Sequence, residues 1–185
     1  MRRRGHQAID WVVDYLASIE ERPVQSKVEP GDVAASLPLH PPSTGESFDD
    51  VMADLDQVVL PGITHWQHPS WFAFFNSNTS GPSMVADIIS SGLAVQGMLW
   101  QTSPACTEVE TRMMDWLVEM LGLPDSFLST GDGGGVIQDT ASSATLCALI
   151  AAREQVSDFA ITRDGVQGKM TVYASSEAHS SVEKA

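Results

Sequence analysis

Three consecutive glycines, Gly133, Gly134 and Gly135, stand shortly before a run of small hydroxyl residues, Thr140, Ser142 and Ser143. Without a Cβ the backbone can turn tightly at such glycines. A helix that begins in the run has unpaired amides and a positive dipole end at its start, where an anion is stabilised. Ala141 leaves room for close approach, while Ser142 and Ser143 can add hydroxyl donors. The stretch reads as an anion-holding turn; the plain alternative is an ordinary turn with a Thr or Ser cap. Two nucleotide patterns are excluded. A Walker loop needs Gly-Lys-Ser/Thr, and no lysine is present here. A dinucleotide fingerprint needs G-x-G-x-x-G, and neither Gly131/Gly133 nor Gly133/Gly135 has the third glycine. A cofactor's phosphate stays among the anions such a turn could hold.

His179 lies just beyond the end of a predicted strand, where α/β proteins place their ligands. Its imidazole could stack on a flat ring or exchange protons there, and a surface loop histidine is the plain alternative. His65, Trp66, His68, Trp71, Phe72, Phe74 and Phe75 crowd one segment. They read as core packing or as the wall of a pocket for a flat apolar substrate. His65-x-x-His68 lacks the glutamate and helix of a zinc site, so no metal is expected. Ser181-x-x-Lys184 lacks the partner motifs of a penicillin-binding nucleophile. Cys106 reads as a buried apolar residue.

The elements that must position these residues are mostly helical. Ile9, Val12, Leu16 and Ile19 recur at helical spacing up to Pro23. A proline-rich connector leads to Ser47, an N-cap for a helix with Val51, Leu55 and Val58 on one face, ended by Pro61-Gly62. These two helices lack the apolar surface for a core of their own. A third helix, begun at Pro82, carries Val85, Ile88, Ile89 and Leu93. A fourth starts at Ser103-Pro104, with a buried stripe predicted at Val109, Met113, Trp116, Leu117 and Met120. Val136-Ile137-Gln138 and residues 170–174 read as strands on either side of a helix from Ala141 to Glu154. Helices alternating with strands predict an α/β architecture with a parallel sheet. So few strands could not cover both faces of that sheet, so the sequence reads as incomplete.

Composition bounds the rest. With 185 residues, 43% hydrophobic and 18% charged, the chain can bury a core. Its net charge of −14 repels a phosphate backbone, so no nucleic-acid partner is expected. There is no secretory signal and no apolar run long enough to cross a bilayer. Two cysteines in no disulfide or metal spacing fit a reduced, cytoplasmic setting.

Taken together, several blocks resemble the pyridoxal-phosphate-dependent amino-acid decarboxylases, specifically the aromatic L-amino-acid (DOPA, tryptophan and tyrosine) group. They are Thr64-His65-Trp66, residues 68–75, Ser103-Pro104-Ala105-Cys106-Thr107-Glu108, residues 133–145 and Ala178-His179-Ser180-Ser181-Val182-Glu183. The resemblance implies the N-terminal part of an aminotransferase-type (fold type I) enzyme. Residues 1–80 would be a helical segment wrapping the partner of a homodimer, and residues 81–185 the first part of the pyridoxal 5'-phosphate (PLP) domain. It also implies that Ala141 and Ser142 bind the cofactor phosphate and that His179 stacks on its ring. Trp66, Phe74 and Phe75 would line the pocket of an aromatic amino acid, with Met98 and Trp100 approaching the neighbouring subunit's site. The reaction implied is loss of the α-carboxylate, giving an amine. The family's PLP-bearing lysine, ring-nitrogen aspartate and mobile-loop tyrosine belong downstream of the His179 block. Lys27, Lys169 and Lys184 are the only lysines, and none stands in that context. The chain alone is therefore expected to be inactive. A non-catalytic dimerisation partner, or a related PLP enzyme of other substrate, are the alternatives. Phe74 stands where many animal members have Tyr, and Asn76 where they often have Pro, which leaves the preferred ring open.

Overall fold

The computed structural model describes residues 1–74 and 79–185, so Phe75 and Asn76 lie outside the described residues. The chain divides into two units, Met1–Gly92 and Leu93–Ala185.

In the first unit, α1 (Arg2–Ala17) stops where the Ser18 hydroxyl donates to the Asp14 carbonyl at 2.8 Å. The proline-rich connector contains one short helix, α2 (Asp32–Ser36), entered through Gly31 at φ +106°. Glycine alone takes that conformation without strain. α3 (Phe48–Asp54) begins at Ser47, as its sequence predicts. The Ser47 hydroxyl accepts from the Asp50 amide at 3.1 Å, and the Asp50 carboxylate accepts from the Ser47 amide at 3.3 Å. This reciprocal pair satisfies two donors that a helix start otherwise leaves unmet.

α3 continues through a wide π-helical turn (Leu55–Val59), in which the Leu60 amide bonds to the Leu55 carbonyl, into α4 (Leu60–Gly62). Pro61 explains the widening. It has no N–H, and its ring would collide with a carbonyl four residues back in a tight helix. α1 is tied to this run by polar contacts, from Gln7 Nε2 to Asp49 at 3.1 Å and from Trp11 Nε1 to Asp56 at 3.0 Å. α5 (Gly81–Leu93) completes the unit.

In the second unit, α6 (Pro104–Leu121) starts at buried Ser103, whose hydroxyl accepts from the Cys106 amide. It ends at Gly122, left-handed at φ +63°, where the Leu123 amide reaches the Val118 carbonyl at 3.0 Å. This left-handed glycine closure is a common helix stop. α7 (Ala141–Val156), α8 (Ala160–Asp164) and α9 (Ser180–Lys184) follow. Buried Glu154 accepts from its neighbour Arg153 at 2.8 Å and joins α7 to α8 by accepting from the Thr162 amide at 3.2 Å. The Arg153 hydrogen bond, first, and then those from Thr162 hold its carboxyl below the usual range.

Two expectations need correction. Neither Val136-Ile137-Gln138 nor residues 170–174 form a strand, and no strand occurs among the described residues. A strand exists only as part of a ladder, and neither segment has a pairing partner among those residues. The predicted buried stripe of α6 is also displaced. Val109, Trp116, Leu117 and Met120 are exposed, whereas Asp115 and Val118 are buried. The covered face of α6 lies under the chain returning through residues 123–137, and the apolar stripe turns away from it.

The surface area makes the same point. The chain exposes 15052 Å². Even two separate globules of half its mass would together expose only about 10,000 Å². Val85, Ile88, Ile89 and Leu93 of α5 belong to this uncovered apolar surface.

Candidate functional site

Thr140 precedes α7 in extended conformation. Its hydroxyl accepts from the Ser143 amide at 3.2 Å, and the Ser143 hydroxyl accepts in turn from the Thr140 amide at 3.1 Å. The ordinary cap weighed against an anion site is therefore present. It does not exhaust the helix start. Among the described residues, the amides of Ala141 and Ser142 and the Ser142 hydroxyl have no hydrogen-bond partner. The cap thus leaves other amides of the same turn open, where an anion could be held. Thr140→Ala is expected to destabilise the second unit by about 1 kcal/mol in urea unfolding, the usual cost of a lost cap.

A cavity of about 280 Å³ opens beside this helix start, lined by Ser142, Ser143, Leu146, His179, Ser181 and Lys184 among others. That is slightly below the size of common small-molecule pockets, about 300–1,000 Å³. Ala141 does not line it, although its amide belongs to the same helix turn. His179 sits at the N-cap of α9, where its Nδ1 accepts from the Ser181 amide at 3.1 Å. In the neutral ring that bond leaves the proton on Nε2. The imidazole is fixed by its own backbone with its Nε2–H edge unengaged among the described residues.

Two charges flank the site. Lys184 adds a cation to the lining. Asp139 adds an anion just before the cap, and the Ser143 hydroxyl bonded to its carboxylate, the main cause, holds its carboxyl below the usual range. A phosphate entering here would meet that negative charge. Asp139→Asn, which keeps the acceptor for Ser143, is expected to tighten phosphate binding about two- to fivefold at low salt, less at high salt. Titrating inorganic phosphate at two ionic strengths checks this.

The glycine turn is built against α6. A Cβ on Gly133 would lie 2.2 Å from the Ser126 carbonyl oxygen and 2.8 Å from the Phe127 Cα. On Gly135 it would meet only the Met114 side chain, at 3.1–3.3 Å. Two carboxylates of α6 hold the flanks. Glu110 accepts from the Ile137 amide at 2.8 Å. Asp115, 6% exposed, accepts from the Ser129 amide at 2.8 Å and the Ser129 hydroxyl at 2.7 Å. The Ser129 amide, first, and then its hydroxyl keep the Asp115 carboxyl below the usual range. Sequence reasoning missed both residues, because a helical carboxylate shows its burial only once its partner loop is placed.

The other expected site residues fall as follows. In the first unit Trp66 stacks on Phe74, with centroids 5.9 Å apart and planes 11° from parallel. Trp71 lies 5.2 Å from Trp66 and 6.2 Å from Phe74. The three rings form a shelf rather than a core, with Trp66 exposed, Trp71 half-buried and Phe74 82% exposed. Phe74 also has φ +59°, an uncommon conformation for a bulky residue. Phe75 lies outside the described residues. In the second unit Met98 and Trp100 are exposed, and the Trp100 indole N–H donates to Glu108 at 2.8 Å. His65 is enclosed, and its Nδ1 lies 2.9 Å from the Tyr15 hydroxyl.

Residues 30–185 match the family described as the pyridoxal-dependent decarboxylase conserved domain, and the chain belongs to that family, whose cofactor is PLP. Over its whole length it is 45% identical to aromatic-L-amino-acid decarboxylase of Rattus norvegicus, covering 40% of that protein. The structure of Rhodiola rosea 4-hydroxyphenylacetaldehyde synthase aligns with a TM-score of 0.90 at 37% identity, over 99% of this chain and 39% of that one. Oryza sativa TDC, solved with PLP and tryptamine, aligns with a TM-score of 0.87 at 41% identity, over 99% of this chain and 40% of that one. The chain thus spans about 40% of the length of the relatives it matches. Those relatives support a fold shared with PLP-dependent decarboxylases, here seen in its N-terminal part.

Proposed function

We propose that these residues are the N-terminal part of a cytoplasmic, homodimeric carboxy-lyase of the α/β aminotransferase type (fold type I) that decarboxylates aromatic L-amino acids to amines. One observation carries the reading. The cap at the start of α7 uses the Ser143 amide and leaves those of Ala141 and Ser142 open, beside a cavity shared by Ser142 and His179. Two amides, a hydroxyl and the Lys184 ammonium suit a phosphate monoester. Ala141 and Ser142 would hold that phosphate, and His179, its ring fixed through Nδ1, would lie against the cofactor ring.

When bound, PLP supplies the electron sink for departure of the α-carboxylate. The chain's own residues bind and orient. The shelf of Trp66 and Phe74 offers flat faces to an aromatic side chain, and Phe75 adjoins it in sequence. Met98 and Trp100, both exposed, would offer apolar groups to a second subunit. Residues 1–80 serve as the dimer-wrapping segment and residues 81–185 as the start of the cofactor domain.

A second reading keeps the site and changes the product, because one structural relative is an aldehyde synthase. The protein from its natural reading frame should release carbon dioxide from aromatic L-amino acids and leave the amine. Aldehyde in place of amine selects the second reading, and no turnover of any aromatic amino acid sinks both. Residues 1–185 alone are expected to be inactive. Borohydride trapping of PLP on Lys27, Lys169 or Lys184, together with decarboxylation, would refute that.

A further inference from the structure

We propose that Glu110 and Asp115 of α6 are positioning residues for the cofactor phosphate, acting through the glycine turn; this rests on the PLP reading above. Residues 129–137 include four glycines, and glycine loses more backbone freedom on ordering than any other residue. Such a loop holds one shape only if something outside it supplies the restraint. α6 supplies it at both ends, through the Asp115 bonds to Ser129 and the Glu110 bond to the Ile137 amide. The two carboxylates are five residues apart on one helix, about 7.5 Å along its axis, so they clamp the loop against a rigid ruler. Between the clamps Gly133 packs on the backbone of Ser126 and Phe127, and Gly135 on Met114. Three residues beyond Ile137 stands Thr140, the cap of α7, and then the open amides of Ala141 and Ser142. Releasing either clamp lets the start of α7 shift relative to the cavity it borders.

Phosphate recognition should therefore suffer selectively. The apo form of the protein from its natural reading frame is titrated with PLP and with pyridoxal, which lacks the phosphate, and binding is followed by absorbance. The readout is the ratio of the two dissociation constants. Glu110→Ala and Asp115→Ala are expected to weaken PLP about tenfold, a loss of the size expected for charge-assisted hydrogen bonds, and to leave pyridoxal within about twofold. Glu110→Gln keeps an acceptor for the Ile137 amide, and Asp115→Asn one for the Ser129 amide, so both should recover most of the ratio. If Asp115→Ala does not fold, the Glu110 pair of variants decides alone, since Glu110 is only part-covered. An unchanged ratio in the alanine variants, or equal weakening of both ligands, overturns the inference. A wild-type protein that binds PLP no tighter than pyridoxal overturns the cofactor reading as well, and so separates the two failures.

Discussion

Gly133→Ala should abolish measurable phosphate binding and cost the second unit about 2–4 kcal/mol in urea unfolding. The added methyl would sit 2.2 Å from the Ser126 carbonyl oxygen, 2.7 Å from the Phe127 carbonyl carbon and 2.8 Å from its Cα. All three are backbone atoms, which cannot swing aside as a side-chain tip does. Insertion of a methyl into a well-packed place commonly costs about 1–3 kcal/mol and exceeds that when the backbone must move. The turn would have to move away from residues 126–127, straining the Ser129 and Ile137 attachments to α6 and moving the start of α7. Gly135→Ala is the matched control. Its methyl would first meet the Met114 Cγ, Cβ and Sδ at 3.1–3.3 Å, tight by a few tenths of an ångström but with no backbone overlap. The cost should therefore be smaller than at Gly133, and phosphate binding should survive. Equal losses in the two variants would show that the close approach at Gly133 is not what shapes the turn.

His65→Ala should destabilise the first unit by about 2–4 kcal/mol and flatten its pH dependence. The ring is 3% exposed, bonded to the Tyr15 hydroxyl at 2.9 Å, and its own amide donates to the Val24 carbonyl at 2.9 Å. Arg22 lies over the other part of this group, 5.3 Å from the Tyr15 ring centroid. Truncation would leave a void and an unpaired tyrosine hydroxyl, and both costs fall in this range. Burial, first, and then the charges of Arg22 and His68 push the His65 pKa below its ordinary 6.5. The unfolded chain therefore takes up the proton more readily than the folded one. The associated stability is fully present above pH 6.5 and is lost as the pH falls through the lowered folded value. Unfolding midpoints compared at pH 8 and pH 5 should fall in the wild type and change less in His65→Ala. A parallel fall in both would place the acid sensitivity elsewhere.

What could be read from the amino acids was whatever depends on near neighbours in the chain. Ser47 as a cap and Ser103-Pro104 as a helix start each involve a few consecutive residues, and each falls where its chemistry predicts. The start of α7 at Ala141, with a hydroxyl residue as its cap, was legible for the same reason. Features set by distant partners were not. Val136-Ile137-Gln138 has strand-like residues, but pairing depends on a second strand and not on the segment itself. The α6 stripe has helical spacing, but spacing cannot say which face meets the chain, and the covered face holds Glu110 and Asp115 instead. His65 illustrates both sides. Its neighbour His68 suggested only a rejected metal pair, while the partner that matters, Tyr15, lies fifty residues away.

The shelf of three rings has an optical consequence. Two indoles 5.2 Å apart, tilted by 33°, couple their electronic transitions, and such a pair gives a paired positive and negative band in circular dichroism. Among the described residues no other two tryptophans stand as a ring pair, and Trp66 and Trp71 both belong to the first unit. That band therefore reports the integrity of one half of the chain without labelling. Its response to an added aromatic amino acid would also register any ring that slides between Trp66 and its neighbours.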